Sequence, residues 1–188
     1  MPIRGERINL REIRKEDLQD ILDLRNNIDG SSIARNVPPT STYEEFLNSH
    51  NKSELSFDRE YGFFAIETND TKEFVGRMTF SYMGPRFCAD IGIGIKESFW
   101  GKGYGHEAHE LLLKFLFHNM GLQMVNWRTW SENHGSLKLA IKSGYTITVR
   151  SREAIFIDGK LCDYIGLQIL REEYYERHPE LVDNLQKI

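Results

Sequence analysis

Cysteine is scarce in this chain: Cys88 and Cys162 are two among 188 residues and cannot build a disulfide framework. Both lie in apolar, strand-like stretches and read as buried, reduced thiols. Long apolar runs are missing as well. No stretch approaches the roughly 20 residues that a membrane span needs. Met1-Pro2-Ile3-Arg4-Gly5-Glu6 lacks the apolar core of a signal peptide, so a cytoplasmic protein without membrane association is expected. Basic residues are not in excess. Lys plus Arg number 24 against 28 for Asp plus Glu, a formal net charge of -4. That balance argues against a dedicated nucleic-acid binder, and no direct nucleic-acid contact is expected. What remains is a chain with 40% apolar and 28% charged residues, ordinary for a folded domain. Its length fits one domain, taken as residues 1–188.

Periodicity then orders the chain. Arg7 to Ile13 alternates polar and apolar residues like a half-buried strand. Leu18, Ile21, Leu22 and Arg25 recur at helical spacing, and Thr42-Tyr43-Glu44-Glu45 has the form of a capping box opening a second helix. Asp29 to Pro39 between them reads as a loop. Tyr61–Glu67, Phe74–Met83 and Arg86–Ile95 read as strands, the first two parted by the turn Thr68-Asn69-Asp70-Thr71. From Tyr104 an apolar stripe through Ala108, Leu111, Leu112, Phe115 and Leu116 marks a long helix that Gly121 is placed to end. Val125–Ser131 is a strand, and Asn133–Ser143 a short helix closed by Gly144. Tyr145–Ile157 and Leu161–Leu170 are long strands joined at Asp158-Gly159, a strong hairpin signal. The tail from Arg171 is charged and partly helical in pattern. This order implies an α/β (α+β) domain with a largely antiparallel sheet covered by helices.

The glycine-dense turn Gly101-Lys102-Gly103-Tyr104-Gly105 carries the chemistry. It joins a strand to a helix, whose first turn offers unpaired N–H groups and the positive end of its dipole. Gly103 and Gly105 let phosphate oxygens approach the backbone closely. A pyrophosphate cradle is the physical expectation. The spacing of Gly101, Gly103 and Gly105 is not that of a dinucleotide fingerprint. Gly103 stands where a triphosphatase loop needs Ser or Thr, and no nucleophile elbow G-x-S-x-G is present. His106-Glu107-Ala108-His109 falls one residue short of a zinc-binding H-E-x-x-H, so no metal is expected and these read as solvent-facing helix residues.

Three stretches resemble one family in the right order. Asp90-Ile91-Gly92-Ile93-Gly94-Ile95 with Phe99-Trp100-Gly101-Lys102-Gly103-Tyr104-Gly105-His106-Glu107-Ala108 is the first. Ser131-Glu132-Asn133-His134-Gly135-Ser136, leading to Lys142-Ser143-Gly144-Tyr145, is the second. Arg152-Glu153-Ala154 with Asp158-Gly159-Lys160 and Asp163 is the third. With the opening Ile8-Asn9-Leu10-Arg11, they resemble the GNAT-fold N-acetyltransferases, in particular the RimJ/RimL-type branch that acetylates ribosomal-protein N-termini. The resemblance implies a GNAT fold of about seven strands, mixed but mostly antiparallel, with splayed fourth and fifth strands.

It further implies acetyl-CoA as cosubstrate and an acceptor amine, either a small molecule or a protein N-terminus, attacking directly without an acyl-enzyme. Coenzyme contacts would come from Ile93, Ile95, Trp100, Gly101, Lys102, Gly103, Tyr104, Gly105, His106, Asn133 and Ser136. A backbone N–H near Ile93 would stabilise the oxyanion. Ser136 matches the branch's thiolate partner, although a Ser is also at home in a helix's first turn. Ala140 stands where many members have a Tyr acid, and Ile155 where the branch can place a Glu base. The catalytic candidates are therefore Ser136, with Asp90 and Glu153 as candidate bases. Arg35, Asn36, Tyr43 and Trp130 are the acceptor candidates, Trp127 and Trp130 falling on opposite strand faces. A catalytically weak acyl-CoA-binding module is the alternative, and the chain is expected to be a monomer or a homodimer.

Overall fold

The computed structural model describes residues 2–26, 44, 48, 61–83 and 87–183. Among the described residues, eight strands, β1 to β8 in chain order, form one sheet in the order β1-β2-β3-β4-β5-β6-β8-β7. They are β1 (Ile3–Arg4), β2 (Ile8–Arg11), β3 (Tyr61–Thr68), β4 (Phe74–Met83), β5 (Cys88–Ile95), β6 (Met124–Trp130), β7 (Thr146–Ile157) and β8 (Lys160–Leu170). The α-helices with described bounds are α1 (Leu18–Asn26), α2 (Tyr104–Lys114), α3 (His134–Lys142), α4 (Arg171–Arg177) and α5 (Pro179–Asp183). Every neighbouring pair is antiparallel except β5–β6, which is parallel. This is the mixed α/β architecture that the sequence implied. The eighth strand among the described residues is the two-residue β1, too short for alternation to reveal.

The expected helix at Thr42–Glu45 lies outside the described residues, apart from the helical Glu44. The candidates Arg35, Asn36 and Tyr43 lie outside them too.

Packing follows the patterns. In α2, Ala108, Leu112 and Leu113 are fully buried against Ile8, Leu10, Met78 and Val125 of the sheet. Each large apolar side chain so buried stabilises the fold by about 1.5–3 kcal/mol. After Lys114 the helix widens into a π turn, Phe115–Asn119, which the 3.6-residue stripe did not foretell. Gly121 follows at φ 71°, a left-handed stop that glycine takes without strain. The β7–β8 hairpin turns where expected: Asp158 and Gly159 both have positive φ, 50° and 76°, as a type I′ turn requires. A smaller apolar cluster joins α1, through Leu18, Ile21 and Leu22, to Ala65 and Phe74. Cys162 is buried and Cys88 only half-buried, with its Sγ donating to the Met83 carbonyl; both are free thiols.

Candidate active site

The parallel seam between β5 and β6 is short. Cys88, Ala89 and Asp90 pair with Met124, Val125 and Asn126, and there the pairing stops. Beyond it, β5 stays bonded to β4 as far as Ile95 opposite Gly76, and β6 to β8 as far as Trp130 opposite Tyr164. Each strand is held by its outer neighbour, so the two part into a V.

The ladder phase decides what faces this gap. The Lys96 N–H bonds the Val75 carbonyl, which makes Gly76–Ile95 a non-hydrogen-bonded antiparallel pair. By alternation the main-chain groups of Ile91, Ile93 and Ile95 turn away from β4, toward β6. The Ile95 carbonyl is taken by the Trp100 indole N–H at 2.8 Å. The Ile93 N–H thus points into the gap, as a donor to a thioester carbonyl must.

At the wide end of β5, the chain bends through a short 3-10 turn, Glu97–Phe99, into the glycine loop. Gly101 and Gly103 have φ of 73° and 84°, values that L side chains rarely adopt, and Gly103 is the N-cap of α2. A Cβ on Gly101 would meet nothing within 4 Å, so its backbone is open to a ligand. Gly105 differs: a Cβ there would make ordinary contacts, 3.6 Å from Ile95 and 3.8 Å from Ile93, so an alanine would fit. Open backbone at a helix N-terminus suits a diphosphate. Lys102 Nζ lies 5.0 Å from the Phe99 ring centroid, and Tyr104 packs edge-on against Phe99. Trp100 is half exposed.

His106, Glu107 and His109 correct the expectation of a solvent-facing stretch. His109 is fully buried, with Nδ1 2.8 Å from Ser143 Oγ and Nε2 3.1 Å from Tyr145 Oη. Burial pushes its pKa down to about 3, with smaller contributions from His106 and Arg177, so the ring is neutral. His106 turns toward Ser143 and Glu110 and is likewise lowered, mainly by burial. Glu107 is pinned to Arg7. A helix buried on one broad face takes in these positions as well as the apolar stripe.

Asn133 caps α3: its Oδ1 accepts from the Ser136 N–H at 3.1 Å. Ser136 Oγ is the acceptor for the Trp127 indole N–H at 2.8 Å. Trp127 is buried and stacks edge-on to His109 of α2, with ring centroids 5.0 Å apart. Ser136 therefore stands on the α2–α3 face of the sheet. Ala140 is buried in the core.

Asp90 stands on the opposite face, at the last paired position before the strands part. It is mostly buried. Asn126 Nδ2 donates to its Oδ1 at 2.9 Å, and the Arg128 guanidinium pairs with its Oδ2. Gln168 Nε2 donates to Asn126 Oδ1 at 3.1 Å, so a polar chain crosses from β8 through β6 to β5. Trp130 shares this face but is buried with Ile157 and Cys162 beneath the hairpin. Both tryptophans are thus packed, one on each side.

Glu153 is elsewhere. Three residues of β7, 152–154, bulge opposite Asp163, and Glu153 has φ 51° with its N–H donating to Asp163 Oδ1 at 3.0 Å. That N–H, with Arg150, holds the Asp163 carboxyl below its usual range. Two strand spacings, about 10 Å, separate the bulge from β6. The structure thus brings Asp90, Ile93 and Ser136 to the gap and leaves exposed Glu153 out on the edge strand. Arg7, Asn126, Trp127 and Arg128 were not picked out as site residues. Their partners lie far off in sequence or across a strand, where local spacing carries no signal.

A family model described as Acetyltransferase (GNAT) domain matches residues 7–146. The SPbeta prophage-derived uncharacterized N-acetyltransferase YokL of Bacillus subtilis (strain 168) is 28% identical over 179 residues, covering 93% of this chain and 96% of that one. The uncharacterized N-acetyltransferase p20 of Bacillus licheniformis is 24% identical, covering 90% of this chain and 96% of its own. Among solved structures, a spermidine N-acetyltransferase from Vibrio cholerae, in complex with CoA and spermine, superposes with a TM-score of 0.80 at 22% identity. The match covers 90% of this chain and 99% of that one, a likeness of fold. With its family model spanning most of its length, the chain belongs to the GNAT acetyltransferases, acyltransferases that take their acetyl group from acetyl-CoA.

Proposed function

We propose that the chain acetylates a primary amine on a small cationic molecule, using Asp90 and Ser136 from opposite faces of the β5–β6 gap. The supporting observation is that arrangement itself. The thioester lies in the gap with its carbonyl oxygen on the Ile93 N–H. The amine nitrogen attacks the carbonyl carbon; the C–N bond forms and the C–S bond breaks. The proton shed by nitrogen passes through water to Asp90. On the other face, Trp127 donates to Ser136 Oγ, which leaves the Ser136 hydroxyl hydrogen to point at the departing thiolate. Ala140 and Ile155 supply neither phenol nor carboxylate, so no second acid or base competes at those places.

A cationic acceptor suits a site whose carboxylate already binds one cation, Arg128, with a part-buried oxygen. The overall charge of -4 favours the same class weakly. The Vibrio cholerae neighbour's polyamine substrate is in keeping with it. Ile155, where the branch can place a Glu base, weighs against a RimJ/RimL-like protein N-terminus.

The test is thiol release from acetyl-CoA with a panel of spermidine, an amino sugar, an aminoglycoside and N-terminal peptides. Polyamines should give the highest kcat/KM. A peptide preference would reverse the acceptor assignment. Coenzyme binding with no acceleration by any amine would leave an acyl-CoA-binding module instead.

A further inference from the structure

The N-terminal turn reaches across the sheet to the coenzyme loop. Arg7 Nε donates to Glu107 Oε2 at 2.8 Å, and its Nη1 donates to the Lys102 carbonyl at 3.0 Å. The guanidinium lies over the Tyr104 ring, 5.2 Å from its centroid. Its Nη2 is 3.1 Å from where a Cβ on Gly103 would be, so any side chain at the N-cap would press on it. Glu107 is held in turn: its Oε1 accepts the Arg7 N–H at 2.7 Å and the Ile8 N–H at 3.2 Å. Gly5 allows this approach, since a Cβ there would meet Glu107 at 2.8 Å.

Glu107 belongs to the first turn of α2, beside the expected diphosphate. A carboxylate there favours the helix dipole but repels a phosphate. Arg7 cancels that charge and is half exposed, with its fork reaching the loop. It also ties down the Lys102 carbonyl, which leaves the neighbouring N–H groups to face the ligand.

We propose that Arg7 tunes acetyl-CoA affinity by neutralising Glu107 beside the phosphate loop, so that this residue governs the diphosphate contribution specifically. The idea rests on Gly101–Gly105 being the diphosphate cradle, and the experiment separates the two. Dissociation constants for acetyl-CoA and for acetyl-pantetheine, which has no diphosphate, are measured by calorimetry on the full chain. Arg7→Gln should weaken acetyl-CoA about tenfold, the order expected for removal of one charge-assisted hydrogen bond. It should leave acetyl-pantetheine unchanged.

Adding Glu107→Gln, whose amide oxygen still accepts the two N–H groups, should restore acetyl-CoA to within about threefold of wild type. A purely structural clamp behaves otherwise: the double variant would bind no better than Arg7→Gln. That result, unchanged acetyl-CoA affinity in Arg7→Gln, or equal loss of both ligands would each overturn the proposal. Gly101→Asp tests the cradle by itself when read against Gly101→Asn, which has the same open space for its Cβ and the same left-handed strain but no charge. Acetyl-CoA affinity unmoved by Gly101→Asp would refute the cradle, and Arg7's role with it. Loss in Gly101→Asp but not in Arg7→Gln would refute Arg7 alone. Thermal melting of each variant shows that the fold is kept.

Discussion

Arg11 and Arg128 each bind a carboxylate, but one does so beneath α1 and the other at the mouth of the β5–β6 gap. The Arg11 side chain is 5% exposed, and its fork engages both Asp17 oxygens and Glu67. The Arg128 side chain is 60% exposed and engages Asp90 with one nitrogen. Burial alone would raise the Asp17 pKa. The Arg11 hydrogen bond and the Arg14 N–H outweigh it, and the carboxyl ends below its ordinary value. The difference is one of exchange. Water and substrate cannot reach the Arg11 group, so it holds β2 and β3 to the turn before α1. The Arg128 group is open on one side, and the cationic acceptor we propose would take the arginine's place on Asp90.

The largest expected effect breaks the closed group. Arg11→Met leaves Asp17 and Glu67 buried with only the partly exposed Arg14 guanidinium nearby, 3.7 Å from Glu67, and should cost about 3–5 kcal/mol. Arg128→Met should cost less, about 1–2 kcal/mol, because Arg128 itself is exposed and mostly buried Asp90 keeps its hydrogen bond from Asn126. Urea unfolding of both variants measures this, and equal losses would erase the contrast. Next, Asp90→Asn should lower kcat about 100-fold, within the range for general bases. Its amide still accepts from Asn126, so stability should move by less than about 1 kcal/mol. A stability loss matching that of Arg11→Met would make Asp90 a structural carboxylate instead. Glu153→Gln should leave kcat within about twofold, since an exposed carboxylate in the β7 bulge is remote from the nitrogen being deprotonated.

His109 extends the contrast to pH. Its folded pKa is about 3, against about 6.5 for a free imidazole. Between those values the unfolded chain binds the extra proton. The stability associated with neutral His109 is therefore whole above about pH 6.5 and drains as pH falls toward 3. Asp17 behaves differently: its contribution is lost only below the ordinary carboxyl range, as its own lowered pKa is crossed. Comparing chemical denaturation at pH 7 and pH 5, His109→Gln should lose less on acidification than wild type, by about 2 kcal/mol. An identical acid response would mean that the ring takes up its proton without unfolding.

Much of the fold was legible because its signals are local. Asp158-Gly159 announces its hairpin, and the stripe from Ala108 to Leu116 announces α2. The glycine loop was legible for the same reason: positive φ at Gly101 and Gly103 is a property of the residues themselves. The partners were not. Nothing near Asp90 in the sequence names Arg128, which meets it only because β5 and β6 run parallel with Asp90 opposite Asn126. Nor does helical spacing reveal that His109 faces Ser143 and Tyr145, because apolar moments score a buried histidine as polar. Glu153 was misleading in a different way. Strand alternation assigns it a face, but the bulge at 152–154 breaks alternation there.

Ser136 gives the finest test of what an open site contributes. A serine at the third position of α3 has its N–H capped by Asn133, so a purely structural role would be fulfilled by the backbone alone. Its hydroxyl has a separate engagement, with the Trp127 indole, which faces the gap's helix side. If the hydroxyl supports the leaving thiolate, Ser136→Ala should lower kcat about tenfold and leave the acetyl-CoA KM within about twofold. The indole acts through the hydroxyl, so its effect must vanish when the hydroxyl is gone. Trp127→Phe disturbs packing, so a benzothiophene of the same shape, introduced in place of the indole, is the cleaner probe. It should lower kcat several-fold in the presence of Ser136 and not at all in Ser136→Ala, a non-additivity expected only of groups acting in series. Additive losses would instead make Trp127 a packing residue beside an unrelated cap.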